Sequence, residues 1–415
     1  VNGRDVSKLW LIIAACAACA IAFVACSEGI TNPVTPGSGL FRNDGVVKTD
    51  TLFADSSAVF LQRIRPGIRT SAVLNRNLVG RDGDDTAYTL LRFLPDTQST
   101  IHVLSAKVVL RVRSWRGLSR TSTFEFTAHR INLDWDPLIV TWDTVARSGF
   151  FEATPIGTFI STSTDSSITF NLDTSRVRRW FRADSNYGIV LKPTPATTRL
   201  ILGFQAFTHP DSSKRPRLEI RYRKGTDTTV FLDTTSVGFD TYVANSNPLP
   251  MTPDRVFTQG SVAHYGVLRF NTARLPKGAI INTAEMLLER DPVLSELTQD
   301  DSIANQPSVH TKTDTGKTAY EFTSSTGSLK SGTNVYSFDV RRQVQIWMSS
   351  QKNYGLLLRQ PDVNENNMLD LFVFYNQNAA NPALRPRIIV KYTVLQTQKP
   401  SVLDTSEVIR SKEEL

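Results

Sequence analysis

The sequence predicts an all-β protein of two tandem β-sandwich domains, jelly-roll-like in form, each interrupted by one short helix. Three observations carry that expectation. Many short segments alternate apolar and polar residues with a period of two. Clusters of Gly, Pro, Asn and Asp separate these segments, where parallel strands would need long helical crossovers. Four blocks of sequence recur in the same order, so one unit has been duplicated.

The composition agrees with a folded body. With 40% hydrophobic and 21% charged residues, 415 residues hold enough apolar surface for sizeable cores, which excludes general disorder. The 22 Gly and 20 Pro are too few for a collagen or a Pro/Gly spacer. All three Cys, at positions 16, 19 and 26, lie near the amino end, so nothing beyond Ser27 forms a disulfide. A formal charge of +8 attracts polyanions without selecting one, and no nucleic-acid partner is expected from it.

Residues 1–25 read as an export signal. Arg4 and Lys8 precede an apolar run from Leu9 that ends in small residues at Ala25, and Lys8 is the last charge before Glu28. A single membrane anchor of minimum length is the other reading of that run. Phe23-Val24-Ala25-Cys26-Ser27 resembles a bacterial lipobox, with Phe23 in place of the usual Leu, which makes Cys26 the expected site of lipidation and the first mature residue. Acyl chains there would hold an exported lipoprotein at the bacterial cell envelope, at the outer membrane or cell surface. Residues 26–45, rich in Gly and Pro, read as a flexible tether.

The repeat sets the domain limits. Tyr88 to Phe93 (YTLLRF) matches Tyr265 to Phe270 (YGVLRF), and Ile101 to Val112 matches Ile280 to Arg290. Val177-x-x-Trp180 followed by Asn186-Tyr187-Gly188 matches Val344-x-x-Trp347 followed by Asn353-Tyr354-Gly355. Arg215-Pro216-Arg217-Leu218 matches Arg385-Pro386-Arg387-Ile388. The expected domains are 46–224 and 225–395, with an exposed tail at 396–415.

Within a unit, Val108, Leu110 and Val112 point one way and Lys107, Arg111 and Arg113 the other, as in a strand with one wet face, Val109 being the apolar exception. Leu218, Ile220 and Tyr222 alternate likewise against Arg217, Glu219 and Arg221. Val177, Trp180 and Phe181, like Val344, Trp347 and Met348, have the i, i+3, i+4 spacing of a helical stripe that covers a sandwich end. Asp173 or Thr174 is the expected cap of the first helix and Asp339 of the second. Both Trp residues are expected in the core, the alternative being platforms for sugar rings.

These blocks resemble the DNRLRE domain family, β-sandwich modules found singly or repeated in secreted and cell-surface proteins. The resemblance spans nearly all of both units, through Leu91-Arg92-Phe93 and Leu268-Arg269-Phe270, Ser105-Ala106 and Thr283-Ala284, the Val-x-x-Trp then Tyr-Gly block, and the final Arg-Pro-x-Leu/Ile strand. It implies a sandwich fold with no catalytic signature. Some modules of this kind are similar to carbohydrate-binding modules for acidic glycans, and others have no known ligand. Leu133-Asp134-Trp135-Asp136 and Val140-Thr141-Trp142-Asp143 look like a further family segment that the second unit lacks.

No enzyme is expected. The five His are scattered without metal-site spacing, and neither a G-x-S-x-G elbow nor a Gly-rich phosphate loop is present. Glycoside hydrolysis, which needs only two carboxylates close in space, is the class hardest to exclude. No cofactor is expected beyond a structural calcium at Asp134 and Asp136, whose two carboxylates would supply part of the six to eight oxygens that calcium requires. The candidate ligand site is the basic face of Lys107, Arg111 and Arg113 extended by Trp115 and Arg116, suited to an acidic sugar chain. Two functions fit: a membrane-tethered surface protein whose modules bind extracellular polysaccharide or another surface partner, or a structural or assembly protein of the envelope, stalk or surface layer.

Overall fold

In the computed structural model, residues 46–61, 76–96, 100–117, 123–161, 166–181, 186–197, 199–246, 252–262, 264–299, 306–314, 320–349, 352–361 and 368–394 are described. The expected signal, Cys26, the tether and the tail lie outside them.

The chain is all-β. Its first strands are β1 (Val46–Leu61), β2 (Arg76–Asp82), β3 (Asp85–Phe93), β4 (Ile101–Gly117), β5 (Phe124–Arg130), β6 (Gly157–Ser161) and β7 (Ser167–Asn171). Between β5 and β6 lies α1 (Trp142–Val145), and after β7 comes α2 (Thr174–Trp180). There follow β8 (Ile189–Pro193), β9 (Arg199–Gln205), β10 (Arg217–Lys224) and β11 (Phe231–Asn245). The second copy comprises β12 (Arg255–Gln259), β13 (His264–Phe270), β14 (Ile280–Glu289), β15 (Ser308–Lys312), β16 (Tyr320–Thr326), β17 (Ser328–Leu329) and β18 (Val335–Asp339). It ends with α3 (Arg341–Met348), β19 (Leu356–Arg359), β20 (Leu371–Tyr375) and β21 (Arg387–Val394).

One sheet has the order β11-β10-β4-β9-β2-β3-β8-β5-β6, with β7 on β4 and a β11–β3 pairing that closes it into a ring. The other runs β16-β15-β19-β13-β1-β21-β14-β18-β17, with β12 joining β13 to β20. There the counterpart of the closing β4–β9 ladder is reduced to isolated bridges, Arg290 with Phe374 and Glu296 with Leu371. Each sheet wraps its own core and is called a module below. The inward faces of β3, β4, β5, β7, β9 and β10 converge in module 1 on Phe93, Val108, Leu110, Phe126, Phe170, Phe204, Leu218 and Ile220, all buried.

The sheets are out of phase with the sequence repeat. β1 opens the first repeat yet pairs with β13, Ser57 opposite Leu268, and lies beside β21 in the second sheet. β11 opens the second repeat yet pairs with β10 and β3 in the first, Asp240 opposite Leu91. The two strands fill the same slot: Ala54 N–H donates to Pro386 O at 3.0 Å and Val237 N–H to Pro216 O at 2.9 Å. The expected boundary at 224/225 is therefore corrected. Module 1 is β2–β11, and module 2 is β12–β21 completed by β1.

Local contacts explain the recurring motifs. Asn186 Nδ2 donates to Phe93 O at 2.6 Å, and Asn353 Nδ2 donates to Phe270 O at 2.7 Å. Two residues later Gly188 and Gly355 have φ of 85° and 94°, and a Cβ there would lie 2.1 Å from Leu91 O and 2.5 Å from Leu268 O, so only Gly fits. In the Arg-Pro motif, Arg215 Nε donates to His209 O at 2.8 Å and Arg385 Nε to Ala379 O at 2.9 Å, clamping the turn before the last strand of each repeat.

Asp173 caps α2, accepting from Ser175 N–H at 2.8 Å; the expected cap Asp339 ends β18 instead, accepting from Arg341 N–H at 3.0 Å, and the N-cap of α3 is Val340, with no side-chain cap bond. Val177 and Trp180 of α2, and Val344 and Trp347 of α3, are buried. Trp180→Ala and Trp347→Ala should each cost about 3–5 kcal/mol, the range for deleting a large buried aromatic. Denaturant unfolding measures this, and a loss below about 1 kcal/mol, typical of surface sites, would place the ring outside the core.

The slot of β1 makes a second prediction. A chain beginning at Arg76 leaves β13 and β21 with open edges, and a peptide of residues 46–61 added to it should raise its melting temperature. No shift at saturating peptide would mean that module 2 does not need β1.

In β11, Asp240 is buried and accepts from Asn77 Nδ2 and Phe207 N–H, both at 2.7 Å. Burial pushes its carboxyl up to about 6 against the opposing effect of those two bonds. The folded chain therefore takes up this proton below about pH 6 and the unfolded chain only near 3.9, so the contribution to stability grows as pH falls through that window. Relative to Asp240→Asn, the native chain should gain about 2–3 kcal/mol between pH 7 and 4, read from denaturant midpoints at each pH. A pH-independent difference would contradict the assignment.

Candidate functional site

The expected basic face lies on β4, and two irregularities in that strand decide what it contains. The β4–β10 ladder skips Leu104, and the β4–β9 ladder skips Arg113. Between these points alternation holds: Ala106, Val108 and Leu110 enter the core while Lys107 is exposed and Arg111 half-buried on the outer face. Past Arg113 the inward and outward sides exchange, because one extra residue shifts the pleat by one position. Trp115 consequently packs against the module 1 core, and Arg116 turns away from it.

Trp115 and Arg116 are thus removed from the ligand face. Arg116 is 2% exposed and is enclosed by carboxylates of both modules. Its Nε lies 3.3 Å from Asp82 Oδ2, its Nη2 donates to Asp85 and Glu296, and its Nη1 donates to Leu369 O. Gln259 Nε2 donates to Asp85 Oδ2 at 2.9 Å, and Arg199 Nε lies 3.4 Å from Asp82 Oδ1. Burial opposes the Arg116 charge, but Asp85, Glu296 and Asp82 together hold its pKa above the ordinary value. Beside it, Trp115 N–H donates to Gln299 O at 3.2 Å and Gln299 N–H to Trp115 O at 2.7 Å. This end of β4 is an inter-module seam.

The neighbouring strand supplies cations that the reading of β4 alone missed. In the β4–β10 register Glu219 stands opposite Lys107 and Arg221 opposite Ser105, so Arg217, Glu219, Arg221 and Arg223 share the outer face with Lys107 and Arg111. On the far side of β4, Ser167, Thr169 and Asn171 of β7 pair with Arg111, Val109 and Lys107. Arg217 is engaged locally, its Nε 3.0 Å from Glu219 Oε1 and its Nη1 donating to Ser213 O at 3.0 Å. Arg221 and Arg223 are exposed. The signal was legible in the alternation of residues 217–223, but it became a site only through cross-strand register. Arg113, at the bulge, is half-buried.

The matching face of module 2 is of mixed sign. Glu285 of β14 accepts from Ser337 Oγ at 2.6 Å and pairs with Lys330 at 2.9 Å, and it stands beside Asp339 and Ile389 in register. Serine and lysine bonding holds the Glu285 carboxyl below its usual range.

Asp134 and Asp136 are used locally. Asp134 Oδ1 accepts from Arg92 Nη1 and from Trp135 N–H, both at 3.0 Å, and Asp136 Oδ1 accepts from Leu138 N–H at 2.8 Å to form a turn. Trp135 is buried with its Nε1 donating to Tyr187 O at 2.7 Å, and the Trp142 ring lies 4.7 Å from that of Tyr88. Among the described residues, no three His, Cys, Asp or Glu side chains converge as a metal site would require.

No family model matches the chain, and no curated protein matches it. A solved structure of the Macrobrachium rosenbergii nodavirus aligns over 85% of this chain and 91% of that one, at 10% identity and a TM-score of 0.12, too low a likeness to bear on fold or function.

Proposed function

We propose that this chain is a non-catalytic, exported surface protein that binds an acidic extracellular polysaccharide along the outer sheet face of module 1. One observation carries the reading: Lys107 and Arg111 of β4 share the outer face of the sheet with Arg217, Arg221 and Arg223 of β10, and the Glu219 carboxylate there is paired with Arg217. Guanidinium groups suit carboxylates in a planar, two-pronged geometry, and neighbouring strands space them to follow a chain of charged sugars. The export signal expected at residues 1–25, lipidation at Cys26 and the DNRLRE-like blocks favour a polysaccharide over nucleic acid as the polyanion, and tether the chain to a membrane.

The inter-module seam favours a second reading, a structural element of the envelope or a surface layer. Two modules that exchange strands and share a buried ion cluster make a stiff spacer. Regular self-assembly of the purified chain without glycan affinity would select it.

Titration with a polyuronate at low salt should show binding that falls steeply towards about 0.5 M salt, since exposed charges are screened. Arg111→Ala with Arg221→Ala should weaken it roughly 2- to 30-fold, as expected for two exposed ion pairs of about 0.2–1 kcal/mol each. A neutral glucan should bind less well. Equal affinity before and after the double substitution would refute the site.

A further inference from the structure

The two modules are built alike, and they diverge at one end. In module 1 the residue after β5, Ile131, donates its N–H to Gly188 O at 3.0 Å, and Lys312 does the same in module 2 to Gly355 O at 3.0 Å. Two residues earlier, His129 hydrogen-bonds to Glu152 O at 2.8 Å and His310 to Glu321 O at 3.1 Å. Arg130, Ile131 and Glu152 of module 1 are therefore the counterparts of Thr311, Lys312 and Glu321.

These exchanges alter what the site can hold. In module 1, Glu152 Oε1 is met by Arg130 Nη1 at 3.0 Å and Arg176 Nη1 at 3.2 Å, and the two guanidiniums fill the space before it. Ile131 is wholly buried in a cluster with Trp135, Val140, Val145 and Phe150. In module 2, the short Thr311 replaces the long Arg130, and Glu321 Oε2 pairs with Arg342 Nη2 at 3.9 Å. Among the described residues, nothing donates a hydrogen bond to this buried oxygen. A cleft of about 250 Å³ opens there, its lining including Lys312, Glu321, Lys352, Tyr354 and the apolar Ile346.

We propose that this cleft is a binding site for a small hydroxylated carboxylate, of the size of one sugar acid. The volume lies below the roughly 300–1,000 Å³ of sites for larger ligands. Glu321 Oε2 offers an acceptor to a ligand hydroxyl, Lys352 and Lys312 offer charge-assisted donors to its carboxylate, and Tyr354 offers a ring face. Burial, opposed by Asp314 and assisted by Arg269, holds the Lys312 ammonium below its ordinary pKa, and a bound carboxylate would favour its charged form. The site is separate from the sheet face of module 1 and does not depend on that reading.

Calorimetric titration of the full chain with glucuronate, glucose, acetate and glycine tests the proposal. Glucuronate should bind, with Lys352→Ala weakening it about tenfold or more, as for the loss of a charged hydrogen bond. Glucose and acetate, each lacking one of the two recognised groups, should bind at least about tenfold more weakly. Thr311→Arg, which installs the residue of module 1, should abolish binding. Arg111→Ala with Arg221→Ala should leave it intact. Absence of glucuronate binding to about 10 mM, parity with glucose or acetate, or binding that survives Thr311→Arg would overturn the site. Tighter binding of glycine would overturn the ligand class.

Discussion

The fold rests on the reciprocal pairing of β1 with module 2 and β11 with module 1. A β-sandwich that lacks one strand exposes two ladders of unpaired N–H and C=O groups and opens its core along the gap. In module 2 that gap is closed by β1: Leu52 and Ala54 are buried, and Tyr392 Oη donates to Asp50 at 3.1 Å. In module 1 it is closed by the strand that leads into the other repeat. Neither sequence repeat is complete in itself: module 1 takes β11 from the second repeat, and module 2 takes β1 from the first. Because β1 must meet β13 and β21 from the opposite end of the chain, the closing contacts are long-range, and this topology favours slow folding.

That exchange explains a seam with polar contents. Asp82 and Asp85 bracket the β2–β3 turn, Arg116 ends β4, and Glu296, Gln259 and Leu369 approach from module 2. A buried ion cluster contributes little net stability, because desolvating each charge cancels most of the attraction. Its contribution is to register. Arg116 satisfies its partners only when β4 and the Glu296 segment are aligned, and the paired N–H to O bonds of Trp115 and Gln299 fix the same alignment. Glu296 feels the strain of the arrangement: burial raises its carboxyl above the ordinary range, Arg116 opposes that, and the adjacent Asp82 and Asp85 add to it.

Much of this was legible in the sequence. The period-two strands gave Val108, Leu110, Leu218 and Ile220 as core, the helical stripes gave Trp180 and Trp347, and the Asn-Tyr-Gly and Arg-Pro repeats mark turns whose hydrogen bonds recur in both modules. Three things were hidden for physical reasons. Alternation reveals neither a bulge nor where a strand ends, so the sequence alone extends the face of Lys107, Arg111 and Arg113 into a turn at Trp115 and Arg116, where β4 in fact continues to Gly117. Pairing partners are not encoded in a strand's own pattern, so β1 and β11 were assigned to the repeats in which they occur. A site shared by adjacent strands needs register, so the outward reading of Arg221 did not join it to Lys107 and Arg111, and Arg223 was not singled out.

Duplication also separates what must be kept from what is free to change. Gly188 and Gly355, Asn186 and Asn353, and Arg215 and Arg385 hold the same bonds in both modules because the closing of each sandwich requires them. The outer sheet faces and the module ends carry no such requirement, and there the copies differ. One face gathers cations while the other pairs Glu285 with Lys330, and one end encloses Ile131 while the other sets Lys312 beside a cleft. Glu321 keeps one buried oxygen that accepts no hydrogen bond among the described residues and is paired only with Arg342 at 3.9 Å, a costly arrangement; its presence where the other copy supplies two close arginines is better explained by what it binds than by how it folds.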